Sequence, residues 1–131
     1  MTEKQLVQTV IPLFDKEYKI FEEVKIFTRS IDVVLKKNDK LIAVEFKLND
    51  YKKAFEQISD YQIVTDYSYL CIPKRKLSSH IFTRLQENGI GLFMYNSDDN
   101  ALEEIIKPNN NSLQIEYYKN YLLKKLKKTK D

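Results

Sequence analysis

The chain has 131 residues, of which 31% are charged and 43% are hydrophobic, and its formal net charge is +3. This length predicts one domain, residues 1–131, with a single core, and the small net charge excludes a strongly basic, histone-like binder. The lone cysteine, Cys71, excludes a disulfide framework and a zinc cluster. The N-terminus has no signal-peptide core and no apolar run is long enough to span a bilayer, so we expect a cytoplasmic protein without a membrane partner.

The first third of the chain predicts one helix and three strands. Thr2 and Gln5 can form a capping box at the start of the helix, and Pro12 should kink or end it. Residues 18–27 are rich in aromatic and β-branched side chains, which favours a first strand. Residues 31–47 then predict two strands joined by a tight turn.

The rest of the chain predicts three helices and two strands. They are a helix capped by Asn49 or Asp50 with Tyr61 among its core residues, a strand at 67–72, a helix from Ser78 or Ser79 to Gly89, a strand at 90–95, and a basic helix at about 112–130. The order α-β-β-β-α-β-α-β-α predicts an α/β (α+β) fold with a central mixed sheet and helices on both faces. The early hairpin excludes an all-parallel sheet.

The hairpin IDVVLKKNDKLIAVEFK, residues 31–47, sets a definite strand register. If its loop consists of the two residues Asn38 and Asp39, then Lys37 pairs with Lys40. Every pair further from the loop follows by counting back along both strands. The predicted register can therefore be extended to any acidic residue in the hairpin.

This register places Asp32 directly opposite Glu45, with Cβ atoms roughly 4.5–5.5 Å apart. Lys47 lies two residues beyond Glu45 and points to the same face. Two carboxylates this close repel each other unless a cation lies between them or one is protonated, so a divalent metal with a neighbouring lysine is the simplest interpretation. The alternative is that all three are solvent-facing residues of an ordinary hairpin. Glu-x-Lys also occurs at 17–19 and 23–25, but without an apolar strand and an opposing acid.

These motifs resemble the D…(D/E)xK pattern of the PD-(D/E)xK, or restriction-endonuclease-like, nuclease superfamily. Small bacterial members share elements that correspond here to Asp32-Val33-Val34, Val44-Glu45-Phe46-Lys47, Ala54-Phe55-Glu56-Gln57, 66–73 and 89–92. The match covers roughly residues 20–107, and Ile31 stands where the superfamily has its proline. The resemblance implies a restriction-endonuclease-like core.

The chemistry expected at this site is metal-dependent hydrolysis of a phosphodiester. Asp32 and Glu45 would hold Mg²⁺ or Mn²⁺ through carboxylate oxygens, and Lys47 would stabilise the transition state or orient the attacking water. The resemblance implies two further roles: the backbone carbonyl of Phe46 as a metal ligand, and Gln57 as an active-site residue that contacts phosphate or water. Gln57 is equally well explained as a polar residue at the edge of an amphipathic helix.

An acidic residue from the first helix often joins such sites in this superfamily. By resemblance the candidate is Glu3, with Glu22 and Glu23 as alternatives. The lone histidine, His80, is expected to be a surface or capping residue rather than a catalyst.

Two basic segments are candidates for nucleic-acid contact. They are Lys74-Arg75-Lys76 and the C-terminal lysines Lys124, Lys125, Lys127 and Lys128. The first segment also fits a solvated loop. The C-terminal helix is compatible with three arrangements: gripping a nucleic-acid backbone, packing on the core with its lysines outward, or forming a dimer interface. Most of the nine tyrosines and seven phenylalanines fall at core spacing, so base stacking is the less favoured role for them.

Two functions remain open at this point. One is a Mg²⁺- or Mn²⁺-dependent nuclease, on DNA in preference to RNA, in DNA processing, repair or defence. The other is a catalytically silent module of the same fold that binds nucleic acid or protein. A homodimer or a larger complex is compatible with both.

Overall fold

The computed structural model describes residues 1–128, which form four α-helices and six strands. These are α1 Glu3–Val10, β1 Lys19–Ile26, β2 Arg29–Lys37, β3 Lys40–Phe46, α2 Tyr51–Tyr61, β4 Tyr67–Pro73, α3 Ser79–Glu87, β5 Gly91–Asn96, β6 Ala101–Ile106 and α4 Glu116–Lys127. A 3₁₀ turn, Ile11–Leu13, follows α1. No helix in this part of the chain is long and apolar enough to cross a membrane.

All six strands belong to one mixed sheet with the strand order β1-β2-β3-β4-β5-β6. The pairs β1–β2, β2–β3 and β5–β6 are antiparallel, whereas β3–β4 and β4–β5 are parallel. The parallel pairs require crossover connections, which α2 and α3 provide. The prediction of an α/β protein with a mixed sheet is confirmed.

Helices cover both faces of the sheet, as predicted. One core lies under α2, α3 and α4, and it includes Phe55, Ile58, Leu85, Leu122 and Leu126. The other core lies under α1 and the 3₁₀ turn, and it includes Leu6, Val10, Phe14, Val44 and Phe46. Because β3 is central and buried on both faces, its residues are hydrophobic almost without a break.

The predicted starts of α1, α2 and α3 agree closely with the structure. Thr2 and Gln5 form the capping box of α1, and the 3₁₀ turn that follows contains Pro12. Asp50 caps α2 and Ser78 caps α3. These caps satisfy backbone N–H groups that would otherwise lack acceptors at the helix ends.

Two predictions about the secondary structure need correction, a missing strand and the start of the last helix. The predicted order lacks β6, an edge strand whose central residues Glu103 and Glu104 hide its apolar pattern. The C-terminal helix begins at Glu116 rather than near residue 112, because Ile115 N–H donates a hydrogen bond to Ile63 O and holds the preceding segment extended. The end predicted for this helix, at about residue 130, lies outside the described residues.

Candidate active site

The β2–β3 hairpin has the predicted register. Lys37 pairs with Lys40 and Val33 pairs with Val44, so Asn38 and Asp39 form a two-residue loop. Asn38 has φ +55°, which two-residue hairpin turns require and which asparagine tolerates better than most residues. The turn therefore sets the strand register as far as Val33 and Val44, the residues next to Asp32 and Glu45, where the ladder ends.

Asp32 lies where the regular strand pattern is interrupted. Ile31 and Val34 both pack in the core under α2, although residues three apart in a regular strand point to opposite faces. In β1 the facing residue, Glu23, has φ +50°, and the Glu23–Asp32 pair is missing from the ladder between flanking pairs. Asp32 is consequently free to interact with β3: Phe46 N–H donates a 2.8 Å hydrogen bond to its Oδ2.

Glu45 is the most buried acid of the site, with only 2% of its surface exposed. Its Oε1 lies 3.0 Å from the hydroxyl of Tyr61, and its Oε2 lies 3.6 Å from Nζ of Lys47. The Asp32 and Glu45 carboxyl groups are close enough that each affects the pKa of the other. The structure thus brings Asp32, Glu45 and Lys47 into one cluster at the end of β3.

Burial and the neighbouring Asp32 charge raise the pKa of Glu45 from 4.5 to about 8. Burial also raises the pKa of Asp32, although the hydrogen bond from Phe46 N–H opposes the shift. At neutral pH and without a cation, Glu45 is therefore mainly protonated. A divalent cation bound here would replace that proton.

Tyr61 is a site residue that the sequence reasoning treated only as core. Its side chain is fully buried in α2, and its hydroxyl lies 2.9 Å from Ser30 O and 3.0 Å from Glu45 Oε1. Burial, together with the Glu45 charge, raises the pKa of Tyr61, so the phenol keeps its proton. The available signal was its position one helical turn after Gln57, which places both on one face of α2.

The backbone of Phe46 faces the carboxylates while its side chain does not. The ring packs in the core under α1. Lys47 N–H donates to Cys71 O on β4, and the Phe46 carbonyl of the same trans peptide group therefore points the opposite way, towards β2. In a parallel ladder successive residues alternate the strand they bond to, so the N–H and C=O of Phe46 both face β2 and Asp32.

The acids near α1 line a cavity of about 180 Å³ that reaches Asp32. Glu3, Glu22 and Glu23 all contribute to its wall. Glu3 Oε2 accepts a 3.3 Å hydrogen bond from Leu48 N–H, and the Glu3 charge contributes to the raised pKa of Asp32. Glu22 instead accepts a hydrogen bond from Gln8 on α1. Glu3 is therefore the acid of α1 that is tied to the end of β3.

The donor set fits a magnesium-type cation. Among residues 1–128, no three His, Cys, Asp or Glu side chains are already arranged as metal ligands. Mg²⁺, however, commonly uses only one or two carboxylates and keeps several waters. Asp32, Glu45 and the Phe46 carbonyl supply hard oxygen atoms of this type. Burial and the neighbouring Asp32 charge raise the pKa of Glu45, and a bound cation would lower it again.

Gln57 is half-buried on α2, and its Oε1 has no hydrogen-bond donor among the described residues. A buried hydrogen-bond acceptor without a donor lowers the free energy of unfolding by about 1–3 kcal/mol. Such a cost is easier to explain if a bound water or ligand normally supplies the donor. Gln57 thus lies one helical turn before Tyr61 on α2, and among the described residues no hydrogen bond joins its side chain to Asp32 or Glu45.

The residues of the first basic segment have different surroundings. Arg75 donates a 2.9 Å hydrogen bond from Nη1 to Leu48 O, next to Lys47, and its guanidinium lies 5.8 Å from the Tyr51 ring centre. Lys74 Nζ pairs with Glu103 at 3.3 Å, and Lys76 is exposed. Arg75 is therefore the member of this segment that lies at the site.

The C-terminal lysines lie on α4, which packs on the core through Leu122 and Leu126. Lys124, Lys127 and Lys128 are exposed, and Lys125 is half-buried. His80 is exposed in the first turn of α3. The structure shows α4 packed on the core with Lys124, Lys127 and Lys128 outward, whereas Lys119 forms a largely buried ion pair with Asp66.

No protein-family model matches the chain, and no curated protein matches it. Solved structures do resemble it. The SPO1766 protein of unknown function from Silicibacter pomeroyi aligns with a TM-score of 0.65 and 13% identity, over 95% of this chain and 84% of that one. An XisH family protein from Nostoc punctiforme PCC 73102 aligns with a TM-score of 0.57 and 15% identity, over 80% of this chain and 98% of that one.

A structure of the EndoMS-dsDNA2 complex also aligns, with a TM-score of 0.47 and 19% identity, over 69% of this chain and 41% of that one. This score is too low to support an argument about this chain. At their levels of identity, the first two similarities establish a shared fold and say nothing about activity.

Proposed function

We propose that the chain is a PD-(D/E)xK nuclease domain, spanning residues 1–131, that hydrolyses phosphodiester bonds of nucleic acid with Mg²⁺ or Mn²⁺. The observation that carries the proposal is the cluster at the end of β3. There Phe46 N–H donates a 2.8 Å hydrogen bond to Asp32, the Asp32 charge raises the pKa of the neighbouring, buried Glu45, and Lys47 Nζ lies 3.6 Å from Glu45. DNA is the expected substrate because the motifs resemble those of restriction-endonuclease-like enzymes.

Asp32, Glu45 and the Phe46 carbonyl would hold the cation, with Glu3 as a further acid at the edge. When bound, the cation supplies a more acidic water and neutralises charge on the phosphate. The protein holds the ligands in position beforehand: Phe46 N–H orients Asp32, and the Tyr61 hydroxyl orients Glu45. Such partners of the ligands commonly determine metal affinity as strongly as ligand identity does.

Lys47 would stabilise the phosphate in the transition state. Its side chain is mostly buried, so its charge acts in a less polar environment than water and is worth more there. In the absence of substrate the ammonium is held near Glu45 Oε2. Gln57, whose acceptor lacks a donor, and Arg75 at the rim are the candidates for orienting water and contacting phosphate.

The test is single-turnover cleavage of labelled single-stranded, duplex and branched DNA and of RNA, with Mg²⁺ or Mn²⁺. Wild-type protein should cleave at least one substrate, and Lys47→Ala should abolish cleavage. Substrate affinity should fall far less than the rate, since the ammonium acts mainly in the transition state. Lys107→Ala, which removes an exposed lysine just after β6, three strands away from β3, is the matched control and should cleave normally.

The second candidate is a catalytically silent module of the same fold that binds nucleic acid or protein. The observation that favours it is how closed the site is. Glu45 is almost fully buried, and Tyr61 and Lys47 already occupy its two oxygens. Wild-type protein that cleaves no nucleic acid with either metal, yet binds it in a salt-sensitive way, would establish this alternative.

A further inference from the structure

An exposed aromatic groove lies between the β1–β2 turn and α4, away from the carboxylate cluster. We call it the aromatic groove, and it is lined by Lys25, Phe27, Tyr117, Tyr118, Tyr121 and Lys125. Its volume is about 380 Å³. The described lining thus combines four aromatic rings with two lysines.

The rings of this groove are unusually exposed and are nevertheless held in place. Phe27 is 61% exposed, Tyr117 is 77% exposed and Tyr121 is 59% exposed. Tyr118 contacts both neighbours edge-on, with ring centres 5.3 Å from Phe27 and 5.5 Å from Tyr117 and nearly perpendicular planes. The groove therefore presents large flat apolar surfaces to solvent at little further cost in side-chain entropy.

Phe27 occupies a position that disfavours it. Ile26 pairs with Arg29, so Phe27 and Thr28 form a two-residue turn, and Phe27 has φ +50°. Glycine, asparagine or aspartate normally fill such positions, because a bulky side chain is strained there. Since the ring is also mostly exposed, burial within this chain does not repay the strain. Strained residues of this kind are typical of functional surfaces.

The charge of the groove favours an anionic partner with flat apolar groups. Lys25 and Lys125 lie at its rim, with Lys125 Nζ donating a 2.6 Å hydrogen bond to Lys25 O. A two-fold pairing with a second copy would bring these lysines together, which is unfavourable. Exposed bases stack on aromatic side chains while their phosphates contact lysines, whereas the bases of a duplex are already stacked on each other.

The groove lies at the same end of the sheet as the carboxylate cluster. Asp32 lies five positions after Phe27 in the sequence, across the turn and the first residues of β2, which corresponds to at most roughly 17 Å at the rise of an extended strand. A strand a few nucleotides long spans this distance. One nucleic-acid chain can therefore contact both places.

We propose that the aromatic groove binds single-stranded nucleic acid, with bases stacked on Phe27 and Tyr117 and phosphates near Lys25 and Lys125. The inference deepens the proposed function and rests on it for the relevance of the site, since it names single strands as the substrate form. Its test measures binding alone. Failure of the groove can therefore be told apart from failure of the catalytic proposal.

Binding is measured in EDTA, so that nothing is cleaved, with fluorescent single-stranded DNA and RNA of about 15 nucleotides. An abasic strand of the same length and a matched duplex complete the set. Phe27→Gly and Tyr117→Ala should each weaken single-strand binding about tenfold or more. Neither should alter the weaker binding of the abasic strand or the duplex. Phe27→Gly should keep its melting temperature, because glycine adopts φ +50° without strain.

The matched control is Ile105→Ala, which removes an exposed apolar side chain on β6, at the opposite edge of the sheet. It should bind as wild type does. Equal single-strand affinity of wild type, Phe27→Gly and Tyr117→Ala would overturn the inference, as would equally tight binding of the abasic strand.

Two other occupants give different results, and either would also overturn the inference. A second copy would appear as a doubled mass in light scattering that Phe27→Gly reverses. A membrane surface would appear as binding to anionic vesicles, lost in Phe27→Gly, without single-strand affinity. Groove-dependent binding by protein that cleaves nothing would contradict the proposed hydrolysis and uphold the groove.

Discussion

The hydroxyl of Tyr61 lies 3.0 Å from Oε1 of Glu45 and 2.9 Å from Ser30 O, so one buried phenol connects α2, β2 and the acid of β3. A phenol has a single proton, so it cannot donate fully to both oxygens. When Glu45 is ionised, the proton is best used at the carboxylate. When Glu45 is protonated, the phenol can donate to Ser30 O. Which oxygen accepts the hydrogen bond from the Tyr61 hydroxyl thus depends on whether Glu45 is ionised.

Tyr61→Phe should raise the pKa of Glu45 further, because the hydroxyl hydrogen bond lowers it in the wild type. The acidic limb of the pH–rate profile should then move to higher pH by up to about one unit, which corresponds to about 1.4 kcal/mol. Stability should fall by about 1–2 kcal/mol, because Ser30 O loses its donor. If only stability changes and the pH profile stays in place, Tyr61 has a purely structural role.

Stability of the metal-free protein should fall as pH rises from about 4.5 to about 8. The folded state keeps the Glu45 proton over this window while the unfolded state releases it, so folding binds an extra proton. Glu45→Gln should remove the loss, and the stability of this variant relative to wild type should increase with pH by up to about 1.4 kcal/mol per unit. Urea unfolding in EDTA at several pH values measures the free energy of unfolding of both proteins.

The control for this experiment is Glu87→Gln, which removes an exposed carboxylate on α3. Its stability should follow that of wild type across the pH range. A wild-type curve that is flat between pH 5 and 8 would be incompatible with a buried, protonated Glu45.

Binding of Mg²⁺ or Mn²⁺ at pH 7 should release nearly one proton, because Glu45 is mostly protonated before the cation binds. Calorimetric titration in buffers with different ionisation enthalpies measures the number released. Asp32→Asn should melt at the same or a higher temperature without metal, since repulsion is relieved, and should gain less stability from added metal. Identical responses of wild type and Asp32→Asn over a full titration would remove Asp32 from the ligand set.

Gln57→Met should leave stability level or raise it, since it replaces an acceptor that has no donor with an apolar side chain of similar length. Cleavage should nevertheless fall, because the amide would no longer orient water or phosphate. Thermal melting and single-turnover rates test the two halves separately. Unchanged cleavage would show that Gln57 is only a polar residue at the edge of α2 without an active-site role.

Neutralising Lys124, Lys127 and Lys128 together, as glutamines, should weaken nucleic-acid binding and reduce its dependence on salt, because fewer counterions are released. Each lysine that contacts a phosphate should lower the slope of log affinity against log salt by about 0.7–0.9. The chemical step at saturating substrate should change little. A slope equal to that of wild type would leave α4 with packing on the core as its role.

Short sequence patterns were enough to predict the hairpin and the starts of three helices. The loop Asn38-Asp39 determines the hairpin register, because a two-residue turn leaves no freedom in strand pairing. Helix caps at Thr2, Asp50 and Ser78 could be predicted because they depend on neighbours only a few residues away. The approach of Asp32 to Glu45 was predicted by extending this register one pair beyond Val33–Val44, the last pair of the β2–β3 ladder, although β2 is irregular at Asp32.

Other features depend on contacts between distant segments. The strand β6 lies at the edge of the sheet and needs little apolar surface, so its sequence lacks the hydrophobic pattern that would predict a strand. Tyr61 could be assigned to the core from its spacing, but its bond to Glu45 exists only because α2 crosses over β3. The exposure of Phe27 and Tyr117 likewise depends on where α4 docks.

The sequence by itself thus determined the hairpin, its paired acids and the alternation of helices and strands, because turn chemistry and side-chain periodicity act over a few residues. Only the tertiary structure decided how deeply Glu45 is buried, which phenol reaches it and which aromatic rings remain outside. Burial and long-range hydrogen bonds arise when segments far apart in the chain pack together, and no local pattern encodes that packing.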